Sequence, residues 1–380
     1  MQYFDYVKFL NKILEKENKK KLILLVILMV ILVIFESFSF SLILPVINSL
    51  IPSNEKIFIF EELFNKFNFI NTEYKFIFFS TIFLFIYFIK IFFNIYFSWF
   101  QNNFFCIIQG YLSDKLYKKY IFQNIIFHKN SDISILLRNL NSELSIFLRE
   151  GMSSIISIVS DVLIILGITS IILIYQPKIT FFLLLFILFF SFIFISINKY
   201  FLQKWSQQRQ EYEGLRLKFL NQGLFSIKEI KIYNKENWIT KKFFSTSSKT
   251  FKALRNYDFF QILPRMFLEI ILIIGIAACI FFFFKSNKIS EGISYLSLIV
   301  FASFRILPIL SKLLRSIQSL AYSKSTFDLL KKEFNLKSES KVETLEKNFT
   351  LNEKIELKNI SFKYENSKRY KIENLNLEIN

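Results

Sequence analysis

Three cationic side chains stand within long apolar runs of this chain and are its clearest candidates for chemistry. Lys90 lies deep in FIFFSTIFLFIYFIKIFFNIYFSWF (76–100), and Arg265 and Arg305 lie in two later apolar runs. An ionisable group at the centre of a membrane costs about 2.5–3.5 kcal/mol on insertion scales, so such a group is a functional candidate by default. Three cations that face one cavity would suit a pyrophosphate, whose anionic oxygens accept hydrogen bonds from Arg and Lys.

Each cation also has a structural interpretation, which the sequence leaves open. Arg265 and Glu269 are four residues apart on one helix face and are able to pair. Lys90 is able to extend its amine toward the membrane surface or to pair with Glu36, and Glu36 is interpreted as a structural partner rather than a proton carrier. Arg305 has no acidic residue within four positions, which favours a role in a cavity.

Neither a metal site nor general acid–base catalysis is predicted. A metal site needs several ligands at suitable spacing, and the one His of the chain, His128, lies in a polar segment. The two Cys, Cys106 and Cys279, lie in or next to apolar helical sequence, so no disulfide framework is implied. A polytopic membrane enzyme, such as a glycosyl- or phosphotransferase, would need acidic or His pairs at the membrane surface, and few are seen. No catalytic residue is predicted.

The elements that must position the cations are membrane-spanning helices. Of the 380 residues, 53% are hydrophobic and 51 are Phe, and apolar segments of 18 or more residues are typical of membrane spans. The six apolar blocks of the chain are 22–50, 76–106, 152–175, 179–198, 262–284 and 293–314. Two long polar segments with helical periodicity, 107–151 and 199–261, join the second block to the third and the fourth to the fifth. We therefore predict an all-α polytopic membrane domain over 22–334, with six spans and long helical extensions.

The distribution of charge predicts the orientation of these spans. Residues 1–21 and 199–261 carry many more Lys and Arg than Asp and Glu, whereas 51–75 is nearly balanced. By the positive-inside rule, both termini and both long connections lie in the cytoplasm. Apolar residues of 1–21 recur at helical spacing, which predicts an interfacial helix on the cytoplasmic membrane surface. The excess of Lys and Arg in the predicted cytoplasmic segments explains the net charge of +18, so nucleic-acid binding is not predicted.

The segment between the first two blocks contains apolar residues among charged ones. These apolar residues are Phe58, Phe60, Leu63, Phe64 and Phe67. Their pattern predicts a short amphipathic helix, which either lies at the outer membrane surface or packs on neighbouring spans. The sequence favours neither alternative.

The last part of the chain has the composition of a soluble domain. Residues 335–354 are polar and charged, as in a linker. In IELKNISFKY the apolar alternation shifts phase between Leu357 and Ile360, and the turn ENSKR separates this run from the alternating IENLNLEIN. A β-hairpin is therefore predicted over 355–380.

This plan resembles half of an ATP-binding cassette (ABC) exporter. After six spans, Ile360, Phe362 and Tyr364 match the apolar-x-Phe-x-Tyr strand that opens the family's nucleotide-binding domain. The resemblance implies that Tyr364 stacks on the adenine of ATP, with ATP and Mg²⁺ as cofactors of the intact parent. None of the seven glycines begins the P-loop motif G-x-x-x-x-G-K-[ST], and the Walker B and signature motifs are absent. We therefore expect a transmembrane domain followed by the truncated start of a nucleotide-binding domain, unable to hydrolyse ATP alone.

A finer resemblance is to the ABC flippases of bacterial protein N-glycosylation, which move a polyprenyl-pyrophosphate-linked oligosaccharide across the inner membrane. The stretches that carry it are FESFSFSLILPVI, FIKIFFN, LPRMFLE and FRILP. It implies that Lys90, Arg265 and Arg305 contact the pyrophosphate and that the outer Phe-rich segment contacts the polyprenyl tail. It further implies a homodimer of half-transporters in the bacterial inner membrane.

The resemblance also assigns a role to the ends of the two long connections. Short helices that couple to the ATP-binding domains are expected in HKNSDISILLRN (128–139) and near SIKEIKIYNKENW (226–238). Solvated charged turns are the structural alternative there. For the whole chain, an exporter of another lipid or of a peptide, or a non-functional remnant, stays open beside the flippase.

Overall fold

The structure of the chain is a computed structural model that describes two compact units, 1–337 and 338–380. The described residues are 2–41, 72–175, 177–285, 289–336, 354–363 and 371–379. Phe58, Phe60, Leu63, Phe64 and Phe67 lie outside them, as does Tyr364. The predictions made for these residues therefore stay predictions.

The first unit is built from helices, as the sequence predicts. Its helices are α1 (Gln2–Ile13), α2 (Lys16–Ser41), α3 (Thr72–Ile121), α4 (Ile125–Asn130), α5 (Ile133–Arg138), α6 (Ser153–Tyr175), α7 (Pro177–Phe225), α8 (Ile227–Ile232), α9 (Glu236–Lys285) and α10 (Ile289–Phe334). Helix α3 has 50 residues and α7 has 49, so each is about 75 Å long at 1.5 Å per residue. A membrane core is about 30 Å thick, and the predicted extensions beyond the apolar blocks are confirmed.

Within the described residues, four helical segments are long and apolar enough to cross a membrane. They are Lys16–Ser39, Ser80–Ile121, Ile133–Ser170 and Glu236–Ala277. They contain much of the first, second, third and fifth predicted apolar blocks. The fourth and sixth blocks lie in α7 and α10, where many side chains of the apolar part are outside the described residues.

Between α5 and α6 the chain stays helical but is not a regular α-helix. Two π-helical segments, Asn139–Glu143 and Phe147–Met152, flank a single α-helical turn, Leu144–Ile146. A π segment carries one more residue per hydrogen-bonded turn than the α-helix, and such segments occur frequently at functional sites. The glutamate at the end of the first segment is part of the buried ion pair described below.

Short helices lie at both predicted connection ends. Asn124 caps α4 by accepting a hydrogen bond from the Phe127 amide (2.7 Å), and Asp132 caps α5 by accepting one from the Ser134 amide (3.0 Å). Asp132 also pairs with Lys218 on α7 at 2.9 Å. Burial raises the pKa of the Asp132 carboxyl, but its hydrogen bonds from Lys218 and Ser134 outweigh burial and leave the pKa below its usual value.

The N-terminal helix α1 packs into the protein core. Tyr6 stacks on Phe327 of α10 with ring centroids 3.9 Å apart, and Phe9 meets the same ring edge-on at 5.4 Å. The Tyr6 hydroxyl is 3.2 Å from Ser323 Oγ. The helix is amphipathic, as predicted, and its apolar face packs on α10 and Phe147. Its position on the cytoplasmic membrane surface stays a prediction.

A glycine lets two helices of the first unit approach closely. A Cβ atom placed at Gly167 of α6 would clash with Ser37 Oγ of α2 and lie 3.2 Å from Ser37 Cβ. Replacement Gly167→Ala is therefore expected to destabilise the protein by about 1 kcal/mol, because the Ser37 hydroxyl must turn to another rotamer and the tight contact with its Cβ atom must relax. The measurement is the thermal unfolding midpoint of the purified chain in detergent.

Gly110→Ala is the matched control for this substitution. Gly110 also lies within a helix, α3, but a Cβ atom there would meet nothing within 4 Å. Alanine should stabilise a helix interior by roughly 0.5–1 kcal/mol relative to glycine. Equal midpoints for both variants would show that the α2–α6 approach does not depend on Gly167.

The second unit is a two-stranded antiparallel hairpin. Strand β1 (Ile355–Phe362) pairs with β2 (Ile372–Ile379). The register is irregular between Leu357 and Ile360, where Asn359 has a φ of 51°. The phase shift predicted at this point is confirmed as a bulge, which turns later side chains to the other face.

Candidate functional site

A cavity of about 890 Å³ lies between α2, α3, α6 and α10 and is the candidate functional site. Its wall holds an unusual number of amide and hydroxyl side chains for helices of this apolarity. The polar and charged residues that line it are Glu36, Asn94, Ser98, Gln101, Asn102, Gln109, Arg149, Ser153, Ser157, Ser160, Asp161 and Lys312.

One wall of the cavity is a polar stripe on α3. Asn94 and Ser98 are four residues apart, and Gln101 and Asn102 follow Ser98 by three and four residues. This spacing places them on one face of an α-helix. Polar side chains at membrane depth are rarely turned toward lipid. The stripe therefore marks the face of α3 that looks into a polar space.

The opposite wall is a matching stripe on α6. Ser153, Ser157, Ser160 and Asp161 have the same helical spacing as the α3 stripe. The Asp161 side chain is only 2% exposed, and its Oδ1 atom accepts a hydrogen bond from Lys312 Nζ of α10 at 3.0 Å. Its Oδ2 atom is buried with no hydrogen-bond partner in the described part of the chain. Asp161 is thus held in a fixed position against α10.

At the edge of the cavity, α2 and α3 are joined by an ion pair. Lys90 Nζ lies 2.7 Å from Glu36 Oε2, with side-chain exposures of 7% and 16%. The amine also lies over the Tyr87 ring, 4.9 Å from its centroid. Glu36 lines the cavity, but Lys90 does not. The pairing that the sequence offered as a structural alternative for Lys90 is therefore present.

The other two predicted cations are placed differently. Arg265 is 71% exposed, and its Nε donates to Glu269 Oε1 at 2.9 Å, as the spacing of the two residues allowed. It is not among the residues that line the cavity. Arg305 lies in α10, and its side chain is outside the described residues. The described residues thus bring neither Lys90 nor Arg265 into the cavity.

Among the described residues, the cavity lining contains two acids and two bases. The acids are Glu36 and Asp161, and the bases are Arg149 and Lys312. Asp161 pairs with Lys312, and Glu36 pairs with Lys90, which lies outside the lining. Both acids are therefore engaged by a lysine, and neither of them offsets the charge of Arg149.

A second cluster of charges is fully buried where α10 and α7 meet the π-helical region. Glu143 is completely inaccessible to solvent and accepts two hydrogen bonds from Arg209 Nη2 of α7, at 3.0 and 2.8 Å. Thr326 Oγ1 of α10 donates to the same carboxylate at 2.7 Å. Arg138 Nε lies 3.5 Å from it. One carboxylate therefore ties three helical segments together.

The cluster continues to α3 through hydrogen bonds. Asn139 Nδ2 donates to the Tyr120 hydroxyl at 3.2 Å, and that hydroxyl donates to Glu333 Oε2 at 2.9 Å. Arg138 Nη1 donates to the backbone carbonyl of Gln210 at 2.7 Å. Within the described residues, Arg138 Nε and Arg209 Nε are buried without a hydrogen-bond partner, so the network is only partly satisfied.

The sequence contains a signal for the cavity that the prediction based on the three cations missed. The signal is polar residues spaced three and four apart inside apolar blocks, as in Asn94, Ser98 and Gln101 on α3. Asp161 is the one acid in the third apolar block, 152–175. No sequence signal pairs Glu143 with Arg209, which are 66 residues apart. Within the described residues, no cluster of three or more His, Cys, Asp or Glu side chains is able to hold a metal ion.

Comparison with known proteins identifies the architecture. The family model of the ABC transporter transmembrane region matches residues 22–311. A solved structure of a bacterial Atm1-family ABC exporter with ATP bound is similar to 95% of this chain, with a TM-score of 0.66 and 11% sequence identity. This chain spans 61% of the length of that exporter. At such low identity the similarity shows the fold alone, and it confirms the predicted fold class.

Proposed function

Because the chain belongs to the ABC transporter transmembrane-region family, we propose that it is the membrane domain of an ATP-driven flippase for a polyprenyl-pyrophosphate-linked oligosaccharide in the bacterial inner membrane. The observation that carries the proposal is the polar cavity of about 890 Å³ between apolar helices. A cargo with a large polar head and an apolar tail needs such a space for the head, because lipid would not solvate it.

The apolar tail has a separate route in this proposal. The outer apolar residues would contact the polyprenyl chain and keep it at the membrane surface. They are Phe58, Phe60, Leu63, Phe64 and Phe67. The support is their amphipathic pattern in the sequence. The tail then stays in an apolar environment while the head passes through the cavity.

The pyrophosphate would meet the predicted cations. Of the two whose side chains the structure describes, Arg265 is the more easily released, because an exposed pair such as Arg265–Glu269 is worth only about 0–1 kcal/mol. Arg305 would add a second guanidinium. Lys90 is held by Glu36, so its contribution would require that pair to open.

Two kinds of protein partner are proposed. A second copy of the half-transporter would complete the pathway, with both termini of each copy in the cytoplasm. Nucleotide-binding domains would couple to the connection ends around α5 and α8. In support, apolar side chains at the second end are exposed, with Phe225 at 87% and Ile232 at 74%. Exposed apolar side chains of this kind favour contact with another protein surface.

ATP and Mg²⁺ would bind in those nucleotide-binding domains, where Tyr364 would stack on the adenine. ATP hydrolysis would then supply the free energy of transport. Among the described hairpin residues, Lys354 and Lys358 both pair with Glu356, and no cradle for phosphates is formed there. We therefore assign no hydrolytic step to this chain's described residues.

The test of the proposed function is ATP-dependent flipping of a fluorescent lipid-linked glycan. Proteoliposomes would hold the transporter with its nucleotide-binding domains. We expect the double variant Arg265→Ala/Arg305→Ala to lower the flipping rate at least tenfold, because two pyrophosphate contacts are lost.

Arg255→Ala is the matched control for that experiment. Arg255 lies on the same helix as Arg265, and within the described part of the chain its guanidinium donates to the neighbouring Asn256. We expect wild-type flipping from this control. Unchanged flipping in the Arg265/Arg305 double variant would refute the pyrophosphate role.

A second candidate function is export of a lipid that lacks pyrophosphate. It is favoured by the two observed ion pairs, Lys90–Glu36 and Arg265–Glu269, which neutralise two of the three predicted cations. In that case the same double variant would transport its lipid at the wild-type rate, and the lipid-linked glycan would not stimulate ATP hydrolysis.

A further inference from the structure

We infer that the N-terminal end of α2 binds anionic phospholipids of the membrane leaflet around it. The binding groups are four exposed lysines that form a lysine patch, Lys12, Lys16, Lys20 and Lys21. This inference goes beyond the proposed function, because the bound lipid is a component of the surrounding membrane and not the cargo.

The lysine patch lies at the level of the lipid headgroups. The first candidate span of the structure begins at Lys16, and Lys20 and Lys21 directly precede Leu22, the first residue of the apolar run of α2. Lysines at the end of a span extend their amines to the membrane surface. A cluster of four or more basic residues next to a span attracts anionic lipids to that surface.

One face of α2 has the same order of parts as a phospholipid. Lys16, Lys20, Ile23, Leu24 and Ile27 follow at spacings of three and four residues, which places them along one side of the helix. The three apolar side chains are 58%, 43% and 51% exposed, whereas the opposite side of α2 packs into the protein core. A lipid phosphate would bind the two amines while its acyl chains lie along the apolar part. An acidic protein in solution would reach the amines alone.

The charge of the patch is not neutralised within the protein. Residues 12–21 contain five lysines and two acids, Glu15 and Glu17. The Glu15 carboxylate is directed to α3, where its Oε1 atom accepts a hydrogen bond from the Tyr111 hydroxyl at 3.1 Å. Within the part of the chain that the structure describes, none of the four patch lysines forms an ion pair. The patch is therefore able to bind an external anion without breaking an internal contact.

The turn between α1 and α2 holds the patch in place. Lys115 Nζ of α3 donates to the backbone carbonyl of Ile13 at 2.8 Å, and the Tyr111 hydroxyl lies 3.1 Å from the same oxygen. The side chains of Ile13 and Leu14 are buried. Lys115 adds a further positive charge beside the turn. Because the backbone under the lysines is fixed, less conformational entropy is lost when a lipid binds.

The test is the composition of the lipid that stays bound to the full chain. The protein would be reconstituted in vesicles of equal parts phosphatidylglycerol and phosphatidylcholine with identical acyl chains, extracted in mild detergent, and examined by native mass spectrometry. We expect at least three times as many retained phosphatidylglycerol molecules as phosphatidylcholine molecules at 0.1 M salt. The ratio should fall toward one at 1 M salt, because the screening length drops from about 10 Å to about 3 Å.

Loss of the patch charge should remove this preference. The variant Lys12→Gln/Lys16→Gln/Lys20→Gln/Lys21→Gln is expected to lower the ratio to about one. The exposed positions make a change in the fold unexpected. If the variant does not fold, Lys16→Gln/Lys20→Gln serves in its place and should halve the ratio.

The matched control removes the same charge from exposed lysines around α8, at the second connection end. It is Lys228→Gln/Lys235→Gln/Lys241→Gln/Lys242→Gln. We expect the ratio of the parent from this control. An equal loss in both quadruple variants would show that the net charge of the chain, and not the patch, attracts the lipid.

Three further results would overturn the inference. They are equal retention of the two lipids by the parent, an unchanged ratio in the folded patch variant, and binding of a soluble hexaglutamate peptide without enrichment of phosphatidylglycerol. The last result would assign the patch to an acidic protein. The experiment uses neither ATP nor a lipid-linked glycan, so its failure and the failure of the proposed function are distinguishable.

Discussion

The substitution Glu143→Gln is expected to lower the free energy of unfolding by about 3–5 kcal/mol, since it leaves the Arg209 charge buried without its counter-ion. Glu143 is fully buried, and the Arg209 side chain is 3% exposed, so water cannot replace the lost partner. The neutral amide also cannot accept both hydrogen bonds that Arg209 Nη2 now donates. The measurement is the thermal unfolding midpoint in detergent, with circular dichroism as the signal.

Glu236→Gln is the control for the Glu143 prediction. Glu236 pairs with Lys231 at 2.9 Å, but both side chains are well exposed, and such pairs contribute about 0–1 kcal/mol. The double variant Glu143→Leu/Arg209→Met should recover part of the lost stability, because apolar replacement of a buried ion pair is often neutral or stabilising. An unfolding midpoint for Glu143→Gln equal to that of Glu236→Gln would contradict the assigned role.

Loss of the Lys90 amine is expected to have an effect of similar size. Lys90→Met removes the ammonium that lies 2.7 Å from Glu36 in a mostly buried contact between α2 and α3. Removing one partner of a buried pair costs about 3–5 kcal/mol. We expect a lower yield of folded protein from membranes and a lower unfolding midpoint.

The double variant Lys90→Met/Glu36→Gln separates a structural role from a cargo role. It removes both charges, so stability should return toward that of the parent. If flipping of the lipid-linked glycan then stays at the parent rate, Lys90 serves the fold and not the pyrophosphate. If the double variant is stable but its flipping falls at least tenfold, Lys90 belongs to the transport pathway.

The sequence predicted the helices well because apolar blocks and helical periodicity are local properties. The blocks around Lys90 and Arg265 both lie in helices of the predicted kind, and the extensions of α3 and α7 follow from periodicity that continues past the apolar residues. The bulge between Leu357 and Ile360 was also readable, because the alternation of side chains shifts where a strand carries an extra residue.

The partners of the charged residues were only partly predictable. Arg265 and Glu269 are four residues apart, so their pairing follows from helix geometry. The Lys90–Glu36 pair was one of several alternatives, because it depends on how α2 and α3 are placed. Glu143 and Arg209 meet only through tertiary packing, and no local sequence pattern predicts such a contact.

The interfacial prediction for the N-terminal residues shows a related limit. An amphipathic pattern states that one face will be covered, but not by what. In this chain Tyr6 and Phe9 meet the Phe327 ring, a contact within the protein that the pattern did not specify. Hydrophobic periodicity alone cannot distinguish these two environments.

The two π-helical segments before α6 decide where the length of the chain is able to change. A π segment holds one more residue per hydrogen-bonded turn than an α-helix, so deleting one residue from Phe147–Met152 would return that stretch toward a regular α-helix and leave the Ser157 and Asp161 stripe facing the cavity. In a regular α-helix each residue turns the following side chains by about 100° about the axis. Deleting one residue of α6 between Ser153 and Ser157 would therefore rotate the stripe away from the cavity. Loss of a single residue should be tolerated in the π segments and not in the helix that follows them.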